Sequence, residues 1–135
     1  MAAKWDRKIA NRRDRKADTG VADTGATSIY FAPDTTVSDY DPTAPPIAVG
    51  TASGQRQLSS ATAKHCIPDL PADFPRTGHD MPGFQQTLIG IGPICDAGFT
   101  VHFSEVDVIV RDKEGRVVLS RWRALTEPGK LWHFN

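Results

Sequence analysis

Val21-Ala22-Asp23-Thr24-Gly25-Ala26-Thr27 sets the terms on which this chain can fold. A short apolar run that stops at an acid, a hydroxyl residue and a glycine describes a strand end that turns sharply. Gly25 then lets backbone and Thr24 donors face the carboxylate. One carboxylate cannot serve as both acid and base. A chain of 135 residues with one such stretch completes the pair by forming a twofold dimer, each copy supplying its own Asp23. Asp18-Thr19-Gly20 repeats the triplet, but Lys16 and Ala17 ahead of it make no strand-like run. Asp23 is therefore the expected catalytic position, and Asp18 falls at or outside the mouth of the first strand.

Around this stretch the chain is cut into short pieces. Ten prolines and eleven glycines predict many turns and brief strands, and 39% apolar content suffices for one compact domain. Ile29-Tyr30-Phe31 continues as a core strand, and residues 33–46, rich in proline and acids, read as a long surface connection. A strand at Ile47-Ala48-Val49 and a return over residues 55–64 frame a hairpin. Residues 69–81, bounded and interrupted by proline, read as a surface insertion. Residues 84–91 form an apolar strand ending in Gly90 and Gly92, where backbones are expected to approach closely behind the Asp23 loop. Residues 93–97 make a short helix ended by Gly98. Strands at Phe99–Phe103, Val106–Val110 and Arg116–Leu119 follow, and the segment through Trp132 and Phe134 is expected to pack in the core or pair with its mate across the dimer axis.

The ordered set Asp23-Thr24-Gly25-Ala26-Thr27-Ser28, then residues 47–54, then Leu88 through Phe103, resembles the protease region of copia-type LTR retrotransposon polyproteins, a branch of the retroviral-like aspartic proteases. The resemblance runs from about Gly20 to Phe134. It implies an all-β, retropepsin-like acid protease barrel with one short helix, each chain forming half of a twofold dimer. The basic arm is residues 1–16 and the protease domain residues 17–135. The implied activity is peptide-bond hydrolysis by water held between two Asp23 carboxylates, with Thr24 and Gly25 supporting the loop and neither metal nor other cofactor required. Ala26, Val49, Ile89 and Ile91 are the expected substrate-binding residues. A lid over the cleft belongs either at Thr51, Ser53 and Gly54 or at Ser59, Ser60 and Ala61; the family's glycine pair at the later position is replaced here by Ser60-Ala61. Pro93-Ile94 likewise stands where retroviral proteases carry an arginine and an acid or amide. The implied substrate is a Gag-Pol-type polyprotein and the implied location the cytoplasm, within virus-like particles.

Composition narrows the alternatives. The formal charge is zero, but residues 1–16 carry seven basic and two acidic groups, and residues 17–135 nine basic and fourteen acidic. A nucleic-acid footprint over the folded body is thus disfavoured, while an electrostatic hold by the arm on nucleic acid stays open. No apolar run approaches the length of a membrane span, and the basic start lacks the apolar segment of a secretory signal. Cys66 and Cys95 read as reduced, partly buried residues of an intracellular protein. His65, Cys66, His79, Cys95, His102 and His133 are too dispersed for a zinc set. The contrasting reading is a dimerising or peptide-binding module of the same fold without activity.

Overall fold

The computed structural model describes residues 20–134, so the 1–16 arm and Asp18 lie outside the described residues. The chain forms twelve strands among these residues: β1 (Gly20–Asp23), β2 (Ile29–Phe31), β3 (Val37–Asp41), β4 (Ala48–Gly50), β5 (Arg56–Leu58), β6 (Ala61–His65), β7 (Thr77–Asp80), β8 (Leu88–Gly90), β9 (Thr100–Phe103), β10 (Asp107–Arg111), β11 (Val117–Trp122) and β12 (His133–Phe134). One helix, α1 (Ile91–Asp96), leaves β8 directly. The strands make a seven-stranded sheet in the order β12-β1-β8-β2-β7-β6-β3, a three-stranded sheet β11-β10-β9 and the hairpin β4-β5. Pairings β1–β8 and β2–β7 are parallel and the remainder antiparallel.

This architecture corrects the expected retropepsin-like barrel. Among the described residues the large sheet is open: β12 pairs only with β1 and β3 only with β6, so no pairing between them closes it on itself. The edges are protected in other ways. β12 is two residues long, and β3 breaks its register between Ser38 and Asp41, where Asp39 takes φ 50° and meets Lys64 at 3.4 Å. The terminal strand is also claimed within the chain, since Gly20 and Val21 of β1 pair with Phe134 and His133.

Strand register divides the large sheet into two faces. Ala22, Ile89 and Ile29 share one row of partners, and Phe31, Ala61, Ala63 and Val37 lie on the same side; all but half-buried Ala22 are buried. The core continues through Ile94, Phe99, Val108, Val110, Leu119 and Phe134, joining α1 and the three-stranded sheet to this face. Trp132 fastens the same join, with its indole N–H donating to the Ser104 carbonyl at 2.9 Å and its ring edge-on to Phe103. The opposite face carries the row Val21, Leu88, Tyr30, His79 and Thr62, and Asp23 two residues beyond Val21.

Two segments read as irregular surface are structural. Residues 33–46 contain β3, and the proline-bounded insertion supplies β7, an interior strand between β2 and β6. The prolines flank β7 rather than occupy it. Gly78 admits the close crossing, because a Cβ there would stand 2.4 Å from the Ile29 carbonyl oxygen. Phe74 of the insertion is 2% exposed, edge-on to Phe99 and His65. The Arg76 guanidinium ties the segment by donating to the carbonyls of Leu70 and Pro71. The expected strand over residues 84–91 shrinks to β8, and α1 begins at Ile91 rather than Pro93, its last turn released at Gly98 with φ 97°.

Candidate active site

Asp23 is the last residue of β1, beside the last residue of β8: it is paired in register with Gly90. The chain cannot continue straight because loop 24–28 crosses over Gly90, whose amide donates to the Ser28 carbonyl at 3.0 Å. A Cβ at residue 90 would stand 2.5 Å from the Ser28 oxygen and 2.7 Å from that of Ala26, so only glycine allows the crossing. The expected close approach is thus real at Gly90, whereas a Cβ at Gly92 would meet nothing within 4 Å.

Within the loop, the Gly25 amide donates to Asp23 Oδ1 at 2.8 Å, and the Ala26 amide reaches the Asp23 carbonyl at 3.4 Å. Asp23 is half-buried, Ala26 is half-buried, and Thr24, Gly25 and Thr27 are exposed. Thr24 thus stands at the surface, where a second chain would have access to its hydroxyl. The carboxylate–amide arrangement is not unique to this loop. Asp41 accepts the Thr43 amide at 2.9 Å and Asp112 the Glu114 amide at 3.0 Å, each two residues on. What sets Asp23 apart is its place at the strand end, on the face opposite Ile89 and beside Gly90, where a Cβ would clash with two carbonyl oxygens.

Side chains from several elements back the loop. Tyr30 is 7% exposed, and its hydroxyl shares a 3.1 Å hydrogen bond with Thr27 Oγ1. The Tyr30 ring lies near-parallel to His79, with centroids 6.1 Å apart, and tilted against Phe84 at 5.9 Å. Burial holds the His79 imidazole below the ordinary histidine pKa. From the sequence, Tyr30 falls in a core strand and His79 in the proline-bounded insertion. The signal for both was period-two alternation, which places Tyr30 on the side of Asp23 once the strand register is known.

Of the two segments considered for a lid, the earlier forms the turn of the hairpin β4-β5. Its turn is at residues 51–55, where the Thr51 amide donates to the Gln55 carbonyl at 2.9 Å, Thr51 Oγ1 bonds Ser53 Oγ at 2.9 Å, and Gly54 takes φ 85°. Ser59, Ser60 and Ala61 form its base instead. The Ile47 amide donates to Ser59 Oγ, the Ser60 amide and hydroxyl both donate to Asp80, and Ala61 opens β6 in the core. Val49 pairs with Gln57, and both are half-buried while the flanking Ala48 and Leu58 are exposed. Gln57 rests on Gly83, where a Cβ would stand 2.0 Å from its Oε1.

Of the four residues named for substrate binding, Ala26 sits in the loop and Val49 on the inner side of the hairpin. Ile89, 1% exposed, and Ile91, 8% exposed, belong to the core, Ile89 on the face opposite Asp23. Neither cysteine is in a disulfide; Cys66 is half-buried and Cys95 exposed. Among the described residues no three His, Cys, Asp or Glu side chains converge on a possible metal, and no helix is long and apolar enough to cross a membrane. Compared with protein-family models, curated proteins and solved structures, the chain finds no match.

Proposed function

We propose that the chain is one half of an aspartic endopeptidase whose site forms when two copies bring their Asp23 carboxylates together around one water. The observation that carries this reading is the Asp23 loop itself: a half-buried carboxylate at a strand end, held by the Gly25 amide, with Thr24 exposed beside it and a hairpin rising from the same chain. Two carboxylates within hydrogen-bond reach share one proton, because ionising both sets like charges against each other. The ionised member draws a proton from the water, and the protonated member donates to the scissile carbonyl oxygen. The resulting tetrahedral diol collapses as its proton passes to the leaving amine. No covalent enzyme intermediate enters. The substrate class is an extended peptide, and the resemblance to copia-type polyproteins suggests cleavage between the domains of a precursor.

A peptide-library cleavage assay on concentrated protein at mildly acidic pH, with Asp23→Asn as control, tests the reading. Cleavage by the native chain and none by the variant is the expected result; equal cleavage by both contradicts it. A second reading is favoured by one observation. Because Asp23 shapes its turn as Asp41 and Asp112 shape theirs, the acid has a structural use without catalysis, as in a dimerising or peptide-binding module. Peptide binding that survives in Asp23→Asn, without cleavage by either protein, is the outcome that selects this module.

A further inference from the structure

We propose that Tyr30 is a positioning residue that sets the conformation of the Asp23 loop through Thr27; its effect on catalysis rests on the endopeptidase reading, whereas its effect on the loop does not. Residues 24–28 are anchored at their ends by backbone amides, that of Gly25 donating to the Asp23 carboxylate and that of Gly90 to the Ser28 carbonyl. Between these anchors the Tyr30 hydroxyl on Thr27 Oγ1 is the side-chain tether.

The tether starts from a fixed point. Tyr30 is buried, and the flanking His79 and Phe84 rings limit where its ring can turn. A phenol buried this far needs a hydrogen-bond partner, and the partner it finds is an exposed loop residue rather than a neighbour in the sheet. Were Tyr30 only a core residue, phenylalanine would fill the same space without a hydroxyl to satisfy. The hydroxyl therefore marks a coupling between the sheet and the loop, and a dyad needs its carboxylates held to a fraction of an ångström.

Three variants read this out. Tyr30→Phe keeps the ring and Thr27→Val keeps the shape, so each removes one end of the tether; Thr27→Ser restores the hydroxyl. Amide exchange at Gly25 and Ala26 is expected to quicken about two- to tenfold in the first two, as loss of one net hydrogen bond allows, and to return toward the native rate in Thr27→Ser. The Tyr30→Phe, Thr27→Val double variant should exchange no faster than either single one. On cleaved peptides, kcat should fall in Tyr30→Phe while KM holds, since the residue contacts the loop and not the substrate. Native exchange in Tyr30→Phe, or additive effects in the double variant, would overturn the proposal. If the exchange changes appear but the native chain cleaves nothing, the tether stands and the endopeptidase reading is what has failed.

Discussion

Asp23 has two separable jobs, and substitution can pull them apart. Asparagine keeps an oxygen to accept the Gly25 amide but can neither lose nor carry the catalytic proton. Asp23→Asn is expected to leave thermal stability near the native value while cleavage drops by at least about a hundredfold. Asp23→Ala loses the turn contact as well and should cost about 1 kcal/mol in denaturant unfolding. His65 sets a separate limit at acid pH. It is 5% exposed; its Nε2–H donates to the Pro75 carbonyl at 2.8 Å, and its Nδ1 accepts the Ile67 amide at 3.4 Å. Only the neutral ring satisfies both contacts. Burial, offset in part by the Pro75 carbonyl and reinforced by the Arg76 charge, holds its pKa below the ordinary 6.5. The unfolded chain therefore takes up this proton at a higher pH than the folded one. The stabilisation is complete above that ordinary value and is lost as pH falls through it toward the folded pKa. Melting temperature should fall between about pH 7.5 and about pH 5 more steeply in the native chain than in His65→Gln. Parallel curves would contradict the assignment. The conditions that favour a shared-proton dyad are thus those in which His65 weakens the fold.

At the scale of elements, the crossing of loop 24–28 over β8 is the joint on which the site depends. Gly90→Ala would drive a Cβ into two backbone carbonyls that have no rotamer to escape through. It should destabilise the fold by about 1–3 kcal/mol or more and take activity with it, whereas Gly92→Ala, with open space around it, should do neither. Urea unfolding of the two variants checks this. Both glycines looked alike in the sequence, because each stands in an apolar run and a close approach comes from a partner distant along the chain. The same limit explains β7. Pro75 and Pro82 announce a loop, but Thr77–Asp80 between them is free to pair, with β6 across residues 66–76 and with β2, which lies far off in sequence. Local signals served better where the contact is local. The turns at Gly54, Gly98 and Gly115 all take positive φ, and the strands flanking residues 104–106 and 112–116 fall where alternation placed them. The hairpin tip was undecidable from sequence because serine occurs at both candidate positions, while the later one has Ser60-Ala61 in place of the expected glycine pair. Hydrogen bonds from Ser59 and Ser60 to Ile47 and Asp80 decide it.

For the whole molecule, the open sheet replaces the closed barrel that the ordered motifs implied. Motif order fixes which residues follow one another, but closure depends on whether the outermost strands meet, and here β3 and β12 end the sheet at opposite edges. β1 takes one edge of β12, so a second copy can reach this strand only along its outer edge, which is two residues long. An endopeptidase built this way obeys mass action: rate per chain should fall on dilution in step with dissociation measured by sedimentation. Mixing subunits tests the central claim most directly. Native chain and Asp23→Asn are combined in equal amounts, allowed to exchange partners, and assayed at constant total protein. A site shared by two Asp23 residues leaves about one quarter of the native rate, because only native–native pairs work under random pairing. A rate of about one half, the share of native chains alone, would place the chemistry within a single chain and contradict the account.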